Sequence, residues 1–266
     1  ICFYSGFIRV AALFNEKAKK WVNGRKNWQN RLAEVISNDK KYVWFHASSL
    51  GEFEQGRPVM EAFRGKFPQY KIILTFFSPS GYEVRKNYPG ADIIFYLPLD
   101  TYCNAKKFIE TVNPVMVFFI KYEFWFNYIH LLNKKNIPLY FFSVKFRSGQ
   151  HFFSWYGGWF RKQLGKIDWI FVQDKASENL LQGIKCERCS VSGDTRFDRV
   201  LAVSQQKKSF PLIEQFAEGA KVMVAGSTWP PDEEMMVDII NKFSGRLKFI
   251  IAPHEIHTDR IAAMQQ

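Results

Sequence analysis

Cysteine is scarce. Cys2, Cys103, Cys186 and Cys189 are the four in 266 residues, too few and too scattered for the disulfide framework of a small secreted domain, so a reducing compartment is expected. Cys186 and Cys189 form a CxxC, but no second cysteine pair or well-spaced histidine pair follows, which leaves two ordinary thiols near a turn rather than a zinc site. The chain also lacks any uninterrupted apolar run of the roughly 18 residues that a spanning helix requires, so no crossing of a membrane is expected within it. Neither a GxxxxGK[ST] loop nor a GxGxxG after a strand occurs, and ATP and NAD readings are correspondingly weak. There is no internal repeat at solenoid spacing and no low-complexity run.

Acidic residues are outnumbered, and the formal net charge is +12. A surplus of that size favours an anionic partner, whether phospholipid, phosphorylated substrate or nucleic acid. What is abundant is apolar: 47% hydrophobic with 23% charged residues suits a packed protein and excludes disorder. The 17% aromatic share fits a lipid interface where rings sit beside Lys or Arg, and fits a large core equally well. Residues 1–14 are mostly apolar and are followed by Lys17, Lys19, Lys20, Arg25, Lys26 and Arg31 with only Glu16 to offset them, an interfacial anchor pattern whose alternative is a first helix packed on its own domain. The chain begins at Ile1 and stops at Gln266 within a helical pattern, so both ends are expected to lack neighbouring sequence.

From residue 41 onward, short β-branched and aromatic runs alternate with longer mixed segments, the signature of strand and helix units on a parallel sheet. Strands are expected at Tyr42 to His46, Lys71 to Phe77, Asp92 to Leu97, Val115 to Ile120, Leu139 to Val144 and Trp169 to Gln173, buried on both faces. A polar stretch separates them from a fresh start at Lys221 to Gly226, with a helix from about Asp232 to Phe243, a strand at Leu247 to Ala252 and a helix from about Ile256. The expected organisation is a membrane-proximal segment at 1–30, a first domain at 31–203, a linker at 204–220, and an incomplete second domain at 221–266. Two such sheets facing each other would set their strand ends around a common cleft, where ligands of open α/β sheets bind.

Residues just after strands are therefore the candidates. The first strand runs into VWFHASSLGEFEQGRP, where a small SSLG turn leads into a helix expected to start near Glu52. Glu52, beside Gly51, is a candidate general base: an unperturbed Glu titrates at about 4.3 and is ionised at neutral pH; the plainer reading is an acid favourable to a helix N-terminus. Glu54 reads as a surface charge. TFFSPSGYE follows the second strand and KYEFWFN the fourth, so Ser78 and Glu123 share this edge with Glu52, and each equally suits a helix cap. From Lys145 to Lys166 there are five cations and no acid, interleaved with Phe152, Phe153, Trp155, Tyr156, Trp159 and Phe160. That pattern suits a phosphorylated lipid or single-stranded nucleic acid, or a helix with its rings in the core and its charges in water. In VAGSTWPPDEE, Ser227 and Thr228 offer hydroxyls and amides to a phosphate. In IIAPHEIHTDR, His254 and His257 suit a nucleotide, but without a third ligand a metal site is not expected.

HASSLGE, TFFSPSGYE, YLPLD, KYEFWFN, SGDTRFD and GSTWPPDEE, in this order and spacing, resemble the Kdo transferases of lipopolysaccharide synthesis over nearly the whole chain. The resemblance implies an α/β fold of GT-B type: two Rossmann-like domains facing a cleft, with the acceptor side in the first and a CMP-Kdo site mostly in the second, which is incomplete here. By the same likeness Glu52 is the catalytic base and Glu123 is functionally important. Ser49, Gly51, Ser78, Glu123 and Lys145 are candidates for acceptor contact or for a structural part in the site, and by the likeness Ser227, Thr228 and His254 fall on the donor side. Three departures stand out. PHEIH differs from the more usual Pro-Arg-His, Lys145 stands near a family Arg whose bidentate contact a lysine does not reproduce, and a later Gly-Gly-His-Asn motif is absent, so this stretch alone is expected to bind donor poorly.

The implied reaction is a single inverting displacement. Glu52 deprotonates a sugar hydroxyl of the lipid A precursor (lipid IVA), which attacks the anomeric carbon of Kdo as CMP departs. No cofactor and no metal are expected, since helix N-termini and nearby donors suffice for the departing phosphate. The expected partners are the lipid A precursor, CMP-Kdo and an anionic membrane surface, at the cytoplasmic face of the inner membrane, with no specific nucleic acid. Rival readings are another GT-B transferase acting on a lipid acceptor, a basic nucleic-acid-binding module, and a catalytically idle membrane scaffold.

Overall fold

The near-continuous apolar runs form a parallel sheet buried on both faces, as such runs require. The computed structural model describes residues 2–205, 209–254, 256 and 258–264. The chain divides into two units, Ile1–Gln205 and Gln206–Gln266.

In the first unit α1 (Cys2–Ala11), α2 (Glu16–Asn23) and α3 (Trp28–Val35) precede the sheet. There follow β1 (Tyr42–Ala47), α4 (Leu50–Lys66), β2 (Lys71–Phe76), α5 (Pro79–Arg85), β3 (Ile93–Tyr96), α6 (Tyr102–Val112), β4 (Met116–Ile120) and α7 (Phe126–Lys134). After them come β5 (Leu139–Val144), α8 (Gly158–Leu164), β6 (Trp169–Val172), α9 (Lys175–Gly183), β7 (Cys189–Val191) and α10 (Thr195–Ser204). The strands lie in the order β3-β2-β1-β4-β5-β6-β7, every described pairing parallel. β7 is an addition to the expected set, and α4 begins at Leu50, two residues before the expected start.

Alternation along the strands feeds two cores. On one face Tyr42, Trp44, Val117, Phe119 and Phe141 pack with Phe108, Ile109, Tyr128 and Leu132 of α6 and α7. On the other, Val43, Phe45, Ala47, Ile72, Leu74 and Phe76 pack with Phe53 and Met60 of α4. α4 lies so close to β4 that a Cβ on Gly56 would sit 2.1 Å from Ile120 Cδ1, so glycine is what permits this approach. The sheet runs outward from β1 in both directions, through β2 on one side and β4 on the other. That reversal is the switch point at which the carboxyl ends of parallel strands leave a crevice.

The second unit holds α11 (Pro211–Ala217), β8 (Lys221–Thr228), α12 (Pro230–Phe243), β9 (Leu247–Pro253) and α13 (Thr258–Met264), with β8 and β9 parallel. Among the described residues no helix is long and apolar enough to cross a membrane.

Candidate active site

β1 delivers His46 and, two residues on and so on the same side, Ser48; β4 delivers the loop carrying Glu123 and Trp125. Because these two strands are neighbours, the four side chains meet at the switch point. Glu123 is 6% exposed and His46 is fully buried. Glu123 Oε2 lies 3.1 Å from His46 Nε2, accepts the Trp125 indole N–H at 2.5 Å, and accepts the Ser48 hydroxyl. Burial pushes the Glu123 carboxyl upward, but the His46, Ser48 and Trp125 donors outweigh it and hold the group below the usual carboxylate range.

Glu52 stands on the neighbouring helix start. Ser49 is the N-cap of α4, and its backbone N–H donates to Glu52 Oε2 at 3.0 Å, the carboxylate half of a capping box. The capping reading of Glu52 is thus realised, and it is compatible with a second role. Burial, and then the negative charge of Glu123, raise Glu52 to about 7, against the opposing pull of the Ser49 and Ser48 N–H groups and of Lys121. Two carboxylates with pKa values driven apart, one fixed as an anion and one poised near neutrality, make an arrangement suited to proton transfer. Lys121, between β4 and Glu123, takes φ 65, a left-handed conformation that a side chain with a Cβ adopts at a cost. Gly51 is exposed in the first turn of α4, and among the described residues no other group lies within 4 Å of where its Cβ would stand.

The other candidates separate. Ser78 caps α5, accepting the Ser80 N–H at 3.3 Å, while its own N–H donates to Ser48 O at 2.7 Å. Ser78 therefore adjoins the cluster as a structural residue. Glu123 does not cap α7, contrary to one reading of the sequence. That place is taken by Asp100 from the loop after β3, whose Oδ1 accepts the N–H groups of Asn127 at 3.1 Å and Tyr128 at 3.2 Å. Lys145 leaves β5 and pairs with Asp174 at 3.1 Å, sharing no ion pair with the cluster among the described residues. Glu54, read as a surface charge, is the hub of an ion-pair network with Arg85 at 2.5 Å and Arg199 at 3.6 Å. The basic and aromatic stretch divides: Phe152 enters the core, Arg161 holds the carbonyls of Phe152 and Ser154, and Trp155 remains 93% exposed. His46, Ser48 and Trp125 were not singled out from the sequence, although HASSLGE and KYEFWFN contain them.

In the second unit Ser227 Oγ lies 2.7 Å from His254 Nδ1, and the His254 ring stacks on Trp229 at 4.6 Å between centroids. Ser227 has φ 60. Thr228 is buried and donates to Glu233 Oε1 at 2.8 Å, which fixes the start of α12. His257 lies outside the described residues. Among the described residues no group of three or more His, Cys, Asp or Glu side chains is gathered in a way that would hold a metal ion.

Residues 26–199 match the family described as 3-deoxy-D-manno-octulosonic-acid transferase (kdotransferase). The chain is 25% identical over 247 residues to the 3-deoxy-D-manno-octulosonic acid transferase of Chlamydia muridarum, covering 87% of this chain and 56% of that protein. It is 25% identical over 233 residues to the protein of the same name from Aquifex aeolicus, covering 86% and 59%. It thus spans little more than half the length of these curated relatives. Among solved structures, the UDP-GlcNAc 2-epimerase of Neisseria meningitidis aligns with a TM-score of 0.59 at 16% identity, over 84% of this chain and 68% of that one. At that identity the likeness speaks for the fold alone, an α/β fold with parallel sheets of GT-B type.

Proposed function

The chain belongs to the 3-deoxy-D-manno-octulosonic-acid (Kdo) transferase family, and on that footing we propose that the protein moves Kdo from CMP-Kdo to a hydroxyl of the lipid A precursor, inverting the anomeric centre. The observation that supports this reading most is the pair at the switch point, with Glu52 lifted to about 7 beside an ionised Glu123. A carboxylate with a pKa near the working pH is ionised in a useful fraction of molecules and still basic enough to take a proton. Glu52 removes the acceptor hydroxyl proton as the oxygen attacks the Kdo anomeric carbon; the bond from that carbon to the CMP phosphate oxygen breaks, and CMP leaves with the electron pair. The reaction needs no redox partner, and Glu52 returns its proton to water.

In this reading Ser227, Thr228 and His254 serve the nucleotide side and Glu123 the acceptor side, while Ser49, Gly51 and Ser78 shape the turns around it and Lys145 stands apart, paired with Asp174. The acceptor is an anionic lipid. The +12 net charge and the exposed Phe7, Leu13 and Phe14, followed by Lys17, Lys19 and Lys20, suit a surface of anionic phospholipid, with the cytoplasmic face of the inner membrane as the proposed location. The experiment is to incubate the full-length protein carrying this sequence with CMP-Kdo and lipid IVA, and to follow the lipid product by mass spectrometry. A product heavier by Kdo residues supports the reading. CMP-Kdo left intact by folded, donor-saturated protein rules it out.

A further inference from the structure

His46 has no assigned part in the reaction, yet it is a fully buried titratable group in contact with the site. Its ring is held from both sides. Nδ1 lies 2.8 Å from Thr75 Oγ1 and 3.1 Å from Thr75 O, while Nε2 lies 3.1 Å from Glu123 Oε2. The Thr75 hydroxyl already accepts the Trp44 indole N–H at 2.7 Å. Its own proton has two acceptors, Nδ1 at 2.8 Å and Phe45 O at 3.5 Å, and the shorter contact takes it. Thr75 thus donates to Nδ1, which puts the imidazole proton on Nε2. Were Nδ1 to donate to the Thr75 carbonyl instead, the Nε2 proton would still be required, because Glu123 Oε2 is an acceptor only: it already takes the Ser48 and Trp125 protons. The Trp125 N–H, 3.0 Å from Nε2 and 2.5 Å from Oε2, goes to the oxygen.

We infer that His46 is a positioning residue: with Thr75 fixing its tautomer, it donates through Nε2 and holds Glu123 as a buried anion beside Glu52. The inference rests on Glu52 being the base of the proposed transfer, but its physical content is independent of which substrate is used. The titratable and charged groups that act on the two carboxylates are few. His46 comes from β1, Lys121 lies in the same loop as Glu123, and Glu52 comes from α4, with the Ser48 and Ser49 amides at the turn. Among these, His46 is the donor that a single substitution removes without touching Glu52 or its cap. If it is lost, Glu123 retains a proton to higher pH, its charge no longer bears on Glu52, and the Glu52 carboxyl titrates lower.

The test is a carboxyl ¹³C titration of Glu52 in the parent chain, His46→Leu and His46→Gln, with imidazole ¹⁵N shifts recorded in the parent. The parent should titrate near 7 at Glu52. His46→Leu should lower that midpoint by about one pH unit, the size of a neighbouring-charge effect. His46→Gln, whose amide donates from nearly the same place, should restore it to within a few tenths of a unit, which a merely structural role would not predict. A folded His46→Leu with the Glu52 midpoint unmoved overturns the inference. If that variant does not fold, the parent alone decides: a proton on Nε2, facing Glu123, is the expected result, and an Nδ1–H imidazole with bare Nε2 overturns it. Titrations as expected in a protein that transfers no Kdo would leave this inference standing and remove the transferase reading instead. With transfer observed, the acid limb of its pH profile should move down in His46→Leu in step with the Glu52 midpoint.

Discussion

Replacing Glu52 by Gln should make the first unit more stable above neutral pH while abolishing the base. In an unfolded chain Glu52 titrates at about 4.5, and in the folded protein at about 7. Below the lower value both states carry the proton and nothing is lost. Between the two values the folded state keeps a proton that the unfolded chain gives up, so stability falls as pH rises; above about 7 the whole cost applies. At 1.36 kcal/mol per pKa unit the full cost is ~3 kcal/mol, and with Glu52 only partly buried about 2 kcal/mol is the expected size. Gln keeps an oxygen for the Ser49 N–H and so preserves the cap. Urea unfolding followed by Trp fluorescence, which reports chiefly on the first unit, should show parent and Glu52→Gln nearly equal at pH 4 and the variant ahead by about 2 kcal/mol at pH 8.5. A difference that stays the same at both pH values would refute the raised pKa and, with it, the reason for choosing Glu52 as base.

Other parts of the molecule yield sharper stability tests. Gly56→Ala drives a Cβ into Ile120, and the overpacking should cost about 1–3 kcal/mol in urea unfolding. Arg25 donates to the carbonyls of Trp21, Phe77 and Leu97 at 3.0, 2.7 and 2.9 Å beneath the rings of Trp21, Phe77 and Tyr96. It has no carboxylate partner among the described residues, and burial draws its pKa down to about 9. Arg25→Lys keeps the charge but loses the fork, so a loss of about 2–3 kcal/mol is expected, measured as a lowered urea midpoint. Phe7 and Phe14, exposed by 75% and 88%, should matter for lipid rather than for folding. Serine at both should weaken binding to anionic phosphatidylglycerol vesicles at least about tenfold, at unchanged stability, since each buried Phe contributes about 1.5–3 kcal/mol. Equal vesicle binding would remove this face from the membrane proposal.

The strands of the first unit were legible because burial on both faces leaves them few polar positions to blur the pattern, His46, Thr75 and Ser143 among them. β7 was not, since Cys189–Val191 is three residues long and is defined by pairing with β6 rather than by its own composition. The start of α4 was within reach: Ser49 and Glu52 stand three apart, the spacing of a capping box, and that spacing places the helix start at Leu50. Glu123 read as a helix cap because it precedes α7. The actual cap, Asp100, comes from a loop after another strand, and no local rule connects the two. The same limit hid His46, Ser48 and Trp125. Each lay inside a quoted motif, but only the neighbouring of β1 and β4, strands separated in sequence by β2 and β3, turns two motifs into one buried cluster.

Whether Glu52 is the base is decided by the pH dependence of kcat/KM for Kdo transfer by the full-length protein and its Glu52→Gln variant. The parent should show an acid limb near pH 7, and the variant a loss of about 10²–10⁴-fold with no such limb, the usual size of a general-base contribution. Transfer by Glu52→Gln at the parental rate, with the limb still in place, would contradict that role.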